Sequence, residues 1–379
     1  MKESVGKATF AFEVLQKDSA TAARLGLLHT SHGDVQTPVF MPVGTAGAVK
    51  ALPHEWLEDL DAQIILANTY HLYLRPGHER IQRLGGLHRF MSWNRPILTD
   101  SGGYQIFSHR ELRRLTEEGA CFRSHLDGSS HFLSPESVID IQRSLGSDIM
   151  MVLDECTAYP CVYADAEASM KLSMRWARRG HAQWKKKRDD GRQALFGIVQ
   201  GGIYPELRRR SVELLMECNF SGLAIGGLSV GEPKDVMFEI LETVLPLLPS
   251  DRPRYLMGVG TPKDLARAVA LGVDMFDCVL PTRNARNGSL FTSEGRILIK
   301  GARYAEDERP LDPLCSCPVC RRYSRAYLRY LFLTGEHLSA VLNTRHNVTF
   351  YLDMMRKIRE SIAFNSYGKY LEAMEKWPE

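Results

Sequence analysis

The chain has 379 residues, of which 44% are apolar and 25% are charged, and its net charge is +3. This composition is typical of a globular protein, and the net charge is too small to identify a partner. No run approaches the roughly 18 consecutive apolar residues of a membrane span, so we expect no membrane partner. The cysteines outside one C-terminal cluster lack framework spacing, which is typical of a reducing cytoplasm.

The first predicted element is an antiparallel hairpin over residues 8–37. Phe10, Phe12 and Val14 recur at every second position, as in a strand with one buried face. A turn is predicted at Ser31–Asp34. We expect this hairpin to close the bottom of the barrel that the following residues predict.

Eight short apolar runs follow, each ending in a small or polar residue. The runs are Pro38–Val43, Gln63–Asn68, Pro96–Asp100, Asp148–Asp154, Leu195–Gln200, Gly222–Gly227, Arg254–Gly260 and Asp274–Leu280. Continuous apolar runs are typical of parallel strands buried on both faces. Amphipathic helical stretches lie between several of them, at Glu206–Glu217, Asp235–Leu245 and Pro262–Leu271. The repeat predicts an irregular α/β (β/α)8 TIM barrel with an N-terminal antiparallel cap, over residues 1–300.

The carboxyl ends of the predicted strands carry chemical groups that core packing does not explain. They are Asp100, Asp154, Gln200, Gly226, Gly227, Gly258 and Asp277. Active sites of such barrels lie at this edge. N-capping of helices is the alternative role for one or two of the aspartates. Two carboxylates facing one sugar carbon can run a double displacement, so the rim predicts a base-exchanging ribosyltransferase or a glycosidase.

A metal site is predicted after the eighth strand, where Cys315, Cys317, Cys320 and His346 have the spacing C-x-C-x2-C-x25-H. Three thiolates and one imidazole complete a tetrahedral shell and leave no open position for a substrate. Disulfides are the alternative, but three cysteines cannot all pair. We therefore predict one structural Zn2+ per subunit in a subdomain of residues 301–350. Residues 351–379 should pack back on the barrel, with a closing helix over Asn347–Ile362.

Three basic clusters occur, and each is predicted to be a solvated helix face, with a polyanion-binding surface as the alternative. They are Lys185–Arg188, Arg208–Arg210, and Arg321, Arg322, Arg325 and Arg329. Beside the last cluster, Tyr323, Tyr327 and Tyr330 have helical spacing and predict one stripe. Such a stripe belongs either to the core or to a homodimer interface, where Tyr and Arg are enriched.

Five long motifs resemble, in order, those of the bacterial queuine tRNA-ribosyltransferase (tRNA-guanine transglycosylase) family. They are residues 99–105 (TDSGGYQ), 196–202 (FGIVQGG), 226–232 (GGLSVGE), 276–283 (FDCVLPTR) and the Cys3His cluster. The resemblance implies exchange of the wobble guanine in GUN anticodons for 7-aminomethyl-7-deazaguanine, in queuosine biosynthesis. It implies the anticodon loop of tRNA and a 7-deazaguanine base as partners.

The resemblance also implies roles for individual residues. Asp277 would be the nucleophile that holds the RNA covalently, and Asp100 the general acid and base. The implied substrate-binding residues are Ser101, Gly102, Gly103, Tyr104, Asp154, Cys156, Gln200, Gly227, Leu228 and Met257. The implied RNA-binding residues are Gly258, Val259, Gly260, Thr261, Pro262, Lys263, Asp264, Thr282, Arg283, Asn284, Ala285 and Arg286.

Two questions of function stay open at this point. Cys156 and Val230 follow the bacterial pattern, which is associated with the aminomethyl base, while a queuine-inserting homologue is the alternative. Cys156 is equally well explained as a small buried residue. A non-catalytic RNA-binding partner subunit is the other alternative, and the presence of both Asp100 and Asp277 argues against it. The family also dimerises through the region after the zinc ligands.

Overall fold

A computed structural model describes residues 10–108, 113–187 and 191–378. The strands in these ranges are β1 (Ala11–Lys17), β2 (Arg24–Thr30), β3 (Gly33–Thr37), β4 (Val39–Gly44), β5 (Ile65–Ala67), β6 (Ile97–Thr99), β7 (Arg113–Leu115), β8 (Ala120–Arg123), β9 (Ser130–Leu133), β10 (Ile149–Met151), β11 (Ala194–Val199), β12 (Gly222–Ile225), β13 (Arg254–Leu256), β14 (Met275–Cys278), β15 (Ser289–Thr292) and β16 (Gly295–Leu298).

The α-helices in the same ranges are α1 (His54–Asp59), α2 (Thr69–Leu74), α3 (His78–Arg83), α4 (Gly86–Met91), α5 (Gly103–Ser108), α6 (Pro135–Leu145), α7 (Tyr163–Lys186), α8 (Pro205–Met216), α9 (Lys234–Val244), α10 (Pro262–Ala270), α11 (Leu280–Arg286), α12 (Pro318–Arg322), α13 (Arg325–Leu333), α14 (His337–Ala363) and α15 (Tyr367–Glu375). Short 3-10 turns lie at Leu245–Leu247 and Ala302–Tyr304. Among the described residues, no helix combines the length and the apolar character that crossing a membrane requires.

Eight parallel strands close into a barrel in the order β4-β5-β6-β10-β11-β12-β13-β14, with β14 pairing with β4. All eight predicted strands are present, and the (β/α)8 barrel is confirmed. Strand β10 ends at Met151, three residues before its predicted end. The Val152 N–H still donates to the Phe196 carbonyl (3.2 Å), after which the chain leaves the ladder and carries Asp154 over the rim.

The N-terminal cap is a three-stranded antiparallel sheet in the order β1-β2-β3. The predicted turn at Ser31–Asp34 joins β2 to β3, while residues 8 and 9 lie outside the described residues. Arg24 in β2 donates two hydrogen bonds to Asp274 (2.9 and 2.6 Å), which directly precedes β14. The cap is therefore fastened to the amino end of the barrel, as predicted.

Two small sheets were not predicted. Strands β7, β8 and β9 form an antiparallel sheet inserted between β6 and β10, and β15 pairs with β16 after α11. These strands have only three or four residues each. So few residues cannot establish a period of two along the sequence, which is why the pattern missed them.

The C-terminal region packs around a small core of its own, which includes Cys317, Cys320 and Leu328. Leu290 and Ile297 precede residue 301 but belong to the same core. Helix α14 is longer than the predicted closing helix and continues through residue 350. The division at residues 301 and 350 thus remains a proposal, although α14 joins the metal cluster to the barrel.

Two of the basic clusters form the predicted solvated faces only in part, because one arginine of each is buried. Lys185, Lys186 and Lys187 are exposed, while Arg188 lies outside the described residues. Arg208 and Arg325 are buried. Both side chains can be buried because backbone carbonyls accept hydrogen bonds from their guanidinium groups. Arg325, for example, donates to the Leu311 carbonyl (3.0 Å).

The tyrosine stripe is only partly helical. Tyr323 follows the end of α12 and lies outside α13, so its predicted helical spacing to the other two is wrong. Its ring still stacks on Tyr327, with centroids 5.5 Å apart. Tyr327 and Tyr330 are 39% and 59% exposed, so neither belongs to the core.

Candidate active site and metal centre

Asp277 lies in β14 with its carboxylate held by two donors. The Tyr255 hydroxyl (2.5 Å) and the Gly258 N–H (2.9 Å) both donate to Oδ1. Among the described residues no donor is directed at Oδ2. Burial raises the pKa of Asp277, and the bonds from Tyr255 and Gly258 partly oppose this. The result is an oriented carboxylate with one oxygen available for attack.

Asp100 follows β6 and receives hydrogen bonds from neutral groups. The backbone N–H groups of Thr69 (2.9 Å) and Gly102 (3.2 Å) donate to Oδ1, and the Asn68 side chain donates to Oδ2. Burial raises the pKa of Asp100 to about 7, and the negative charge of Asp277 adds to this while the amides oppose it. At neutral pH this carboxyl is divided between its acid and base forms.

Asp154 and Gln200 form the next part of the rim. The Gln200 Nε2 donates to Asp154 Oδ2 (2.7 Å), and the Ser101 hydroxyl donates to Oδ1 (3.3 Å). Burial raises the pKa of Asp154 to about 6, against the effect of these two bonds. The Gln200 Oε1 is buried, and within the described part of the chain it has no hydrogen-bond partner. A flat ligand with several N–H groups would satisfy this set better than the protein alone does.

Glycines let the backbone approach this rim closely. A Cβ on Gly103 would lie 2.8 Å from the Asp154 carbonyl oxygen, and one on Gly227 would collide with Gln200 Oε1. Gly227 also has φ +63°, which disfavours any other residue. Glycine at these two positions is therefore required by contacts within the protein, which hold the Asp154 and Gln200 groups against the neighbouring loops.

The predicted walls of the base site differ in exposure. Tyr104 is 61% exposed, whereas Met257 is half-buried. The Met257 sulfur lies 3.6 Å from the position of a Cβ on the buried Gly226. Met257 therefore lies beside the loop that carries Gly227, while the Tyr104 ring is open to solvent.

Cys156 is half-buried, and burial raises the pKa of its thiol to about 12. The thiol is therefore protonated at neutral pH and is not a nucleophile. A neighbouring cavity is lined by Tyr159, Tyr204, Val230 and Glu232, next to Gly227.

Sequence reasoning missed several residues that hold the rim in place: Asn68, Thr69, Arg208, Glu232 and Tyr255. Glu232 accepts hydrogen bonds from the Ser229 and Val230 N–H groups (2.9 Å for Val230). One signal was present for Asn68, because it is the last residue of a predicted strand, and polar residues at the carboxyl ends of barrel strands are expected at the active site. Tyr255 lies inside a strand and gave no such signal.

The predicted RNA-binding residues fall into two groups. Val259, Gly260, Pro262, Asp264, Thr282 and Ala285 are buried. Gly258, Thr261, Lys263, Arg283, Asn284 and Arg286 are exposed or half-buried. The buried side chains position backbone and do not offer contacts; Asp264, for instance, pairs with Lys234 (3.1 Å). The side chains of the accessible group are the ones open to a partner.

The predicted metal ligands come together in the C-terminal region. The donor atoms of Cys315, Cys317, Cys320 and His346 lie within 4.8 Å of one another. The His346 Nδ1 is 3.3 Å from Cys320 Sγ and 3.8 Å from Cys317 Sγ. Tetrahedral zinc with ordinary bond lengths separates sulfur from nitrogen by roughly 3.6 Å. The His346 Nε2–H donates to the Phe291 carbonyl (2.7 Å), which directs the Nδ1 lone pair towards the sulfurs. This cluster can bind a metal ion.

A second group, His32, His88 and Asp148, lies at the amino end of the barrel. His32 Nδ1 and Asp148 Oδ1 are 2.7 Å apart, which is the distance of a hydrogen bond. The two imidazole rings stack with centroids 3.5 Å apart. Stacked rings direct their lone pairs in parallel and not towards one point. This group is a hydrogen-bonded brace between the cap, α4 and β10.

A family model described as queuine tRNA-ribosyltransferase matches residues 18–378. The queuine tRNA-ribosyltransferase of Caldanaerobacter subterraneus subsp. tengcongensis is 58% identical over 355 residues, covering 94% of both chains. That of Desulforudis audaxviator is 58% identical over 361 residues (95% of this chain and 96% of its own), and that of Koribacter versatilis is 55% identical over 363 residues (93% and 94%). The chain thus belongs to the queuine tRNA-ribosyltransferase family.

Proposed function

We propose that the protein is a tRNA-guanine transglycosylase, a pentosyltransferase that acts in queuosine biosynthesis. It would replace the wobble guanine of GUN anticodons with 7-aminomethyl-7-deazaguanine. The observation that carries this proposal is the pair of coupled carboxyl groups, Asp100 and Asp277, in different hydrogen-bonding environments on one rim. Such a pair separates an acid/base group from a nucleophile.

In the first half-reaction, the Asp277 carboxylate attacks C1′ of the target nucleotide. A C1′–O bond forms, the C1′–N9 bond breaks, and the departing guanine takes a proton from Asp100. Extrusion of the base from its stack costs a few kcal/mol, and less in an unpaired loop. The anticodon loop is therefore a suitable substrate.

In the second half-reaction, the incoming base loses its N9 proton to Asp100 and attacks the same carbon. The C1′–N9 bond forms again and the ester bond to Asp277 breaks. Two inversions give net retention. Because the pKa of Asp100 lies at about 7, the residue can both give and take this proton near neutral pH.

For base recognition, we propose that Asp154 accepts from the two N–H groups on one edge of the base. Gln200 and the Gly227 N–H would donate to its carbonyl. The Leu228 carbonyl would accept from the aminomethyl group, and Tyr104 and Met257 would stack on the faces. The cavity beside Val230 would hold the substituent, with queuine as the alternative substrate.

For the RNA, we propose contacts from the accessible predicted residues only. Arg283 and Arg286 on α11 follow the nucleophile in sequence and would bind phosphates around the exchange site. Lys263 and Thr261 at the start of α10 would bind the other side of the loop. A non-catalytic partner subunit, the alternative, would not need Tyr255 and Gly258 to orient Asp277.

We propose that the metal is one structural Zn2+ per subunit, held by Cys315, Cys317, Cys320 and His346. Zinc in such a site stabilises a local fold by roughly 10–16 kcal/mol of apparent binding energy. Cys317→Ser should lose the metal and unfold the C-terminal core, while Cys218→Ser, outside the cluster, should retain both. Metal analysis of purified protein tests this, and active protein without zinc would refute it.

We propose further that the protein is a cytoplasmic homodimer, with the exposed Tyr327 and Tyr330 at the interface. One subunit would catalyse while the other helps to hold the tRNA. Tyr327→Ala should shift the protein towards monomer in sedimentation and weaken exchange without loss of metal. Phe364→Ala, which removes another exposed aromatic (81%), is the matched control. A monomeric active wild type would contradict the proposal.

The test of the activity is incorporation of labelled guanine into unmodified tRNA with a GUN anticodon. Label should enter the RNA with the wild type and not with Asp100→Asn. A tRNA whose anticodon lacks the wobble guanine is the control and should remain unlabelled. Release of unlabelled guanine from the tRNA without incorporation of label would indicate a glycosidase, and RNA binding without either would indicate a partner subunit.

A further inference from the structure

Arg208 departs from the prediction for its cluster. It is the first of three consecutive arginines in α8, and its neighbours Arg209 and Arg210 are exposed. Arg208 itself is 0% exposed. Its side chain points from α8 into the space between the ends of β11 and β12, which are the strands that carry Gln200 and Gly227 to the rim.

The Arg208 guanidinium donates to four backbone carbonyls. Nε donates to Gly202 (2.8 Å), and Nη1 donates to Val199 (2.9 Å) and Gly226 (2.7 Å). Nη2 donates to Gly227 (3.2 Å). Two of these carbonyls lie in the loop after β11 or at its end, and two in the loop after β12. One side chain therefore ties together both loops that bear proposed base-recognition groups.

No carboxylate in the described residues lies within 4.0 Å of Arg208, so the charge is balanced mainly by carbonyl dipoles. Burial lowers the pKa of Arg208 to about 10, and the side chain remains charged at neutral pH. Burying an unpaired cation is costly. An apolar residue could fill the same space but would leave these carbonyls without the donors of Arg208, so the geometry of the four donated bonds is what distinguishes arginine here.

The consequence follows from the planarity of the peptide bond. In a trans peptide the C=O and the next N–H point in opposite directions. The Gly226 carbonyl points at Arg208, so the Gly227 N–H points away from Arg208. Among the described residues no acceptor receives the Gly227 N–H. Two consecutive glycines could adopt many other orientations, and the bonds from Arg208 remove them.

We propose that Arg208 is a positioning residue that aims the Gly227 N–H at the carbonyl of the bound base. It does so by holding the Gly226 and Gly227 carbonyls on the opposite side of the loop. This inference rests on the proposed function, because it takes the ligand to be a guanine-like base. Arg208 does not touch the base and acts through the backbone.

Guanine and 2-aminopurine separate this role from a merely structural one. 2-Aminopurine lacks the 6-carbonyl and also the N1 proton that Asp154 would accept, so we expect it to bind more weakly to every variant. Of these two contacts, only the one to the 6-carbonyl should depend on position 208. Equilibrium titration of the free bases with Arg208→Lys and Arg208→Gln needs neither tRNA nor turnover. We expect guanine to bind about tenfold more weakly to both variants, which is the scale of one hydrogen bond, and 2-aminopurine to change little. Arg209→Gln, on the exposed side of α8, should leave both affinities unchanged.

Arg210→Gln is a second control, because Arg210 is exposed on α8 and donates to Glu213 (2.8 Å); it should leave both affinities unchanged. Equal weakening of both bases in the Arg208 variants would identify Arg208 as a structural brace and overturn the proposal. An unchanged guanine affinity in folded variants would overturn it as well.

A measurement on the wild type avoids variants that fail to fold. The Gly227 amide should exchange its hydrogen rapidly in the free protein and be protected by guanine but not by 2-aminopurine. Absence of protection by bound guanine would overturn the proposal. If the wild type binds neither base, the proposed function itself fails. If the wild type binds guanine but the Arg208 variants keep the same preference for guanine over 2-aminopurine, only this inference fails.

Discussion

Buried carboxylates lie at both ends of the barrel, and the two ends partner them differently. At the amino end, Asp274 receives two hydrogen bonds from the cation Arg24 (2.9 and 2.6 Å). At the carboxyl end, Asp100 receives its hydrogen bonds from the neutral Asn68 side chain and from backbone amides. The first arrangement neutralises a charge and fastens the cap. The second leaves the proton on the carboxyl available for exchange.

The pKa directions follow the partners only in part, because burial raises the pKa of Asp274 despite its hydrogen bonds from Arg24. Burial raises the pKa of Asp148 at the amino end, but hydrogen bonds with His32 and His88 outweigh burial and hold the pKa below its ordinary value. Burial raises the pKa of Asp100 to about 7, and no cation opposes it. The same fold thus uses aspartates for stability at one end and, as we propose, for proton transfer at the other.

The largest expected effect concerns the carboxyl end. Asp277→Asn removes the proposed nucleophile, so exchange should fall by about a thousandfold or more. The stability should change little, because Asn retains an acceptor for Tyr255 and Gly258. Denaturing gels should show a protein–RNA adduct for the wild type and none for the variant. An adduct of normal yield would contradict the assignment of the nucleophile.

The matched substitution at the amino end should lower stability and leave exchange intact, the opposite of Asp277→Asn. Asp274→Asn leaves Arg24 buried without its counter-charge and should lower the free energy of unfolding by about 3–5 kcal/mol. Exchange per folded molecule should be retained. Urea unfolding measures the loss, and the double variant Arg24→Met/Asp274→Leu should recover part of it. A stable but inactive Asp274→Asn variant would contradict the assignment of stability to the amino end and of activity to the carboxyl end.

The carboxyl end was largely predictable from sequence, and the amino end was not. Asp100 and Asp277 stand at the ends of apolar runs, where barrel architecture places active sites. Asp274 and Arg24 are 250 positions apart, so no local pattern connects them. The inserted sheet of β7, β8 and β9 was missed for a related reason, because its strands are too short to show a period.

The burial of Arg208 was predictable in principle. Ser211, Val212 and Leu215 are buried on α8, and position 208 lies three, four and seven residues before them, on the same face. The run of three arginines predicted a solvated face, whereas the helical period places position 208 on the buried face. What the sequence could not supply is the identity of its partners, since four backbone carbonyls leave no signature in residue types.

The dual role of Asp100 predicts opposite pH dependences for the two half-reactions. Adduct formation uses the acid form and should slow, approaching tenfold per pH unit, as pH rises above about 7. Resolution of the adduct by free base uses the ionised form and should accelerate as pH rises towards 7. Single-turnover gels measure each step. Parallel profiles for the two steps would contradict the shared acid/base.

The smallest expected effect is on the free energy of unfolding, which should respond to pH in opposite ways at Asp148 and at Asp100. The fold lowers the pKa of Asp148, so the ionised carboxylate stabilises the folded state at neutral pH, and this stabilisation is lost as pH falls. Asp148→Asn should therefore destabilise the protein by about 1–2 kcal/mol at pH 8. The pKa of Asp100 is raised from 3.8 to about 7, so the wild type loses stability as pH rises through this window. Asp100→Asn lacks that loss, and its stability relative to the wild type should increase between pH 5 and pH 8. Urea unfolding at both pH values measures each variant. If both variants were destabilised equally at pH 8, the two ends of the barrel would not differ in how they bear charge.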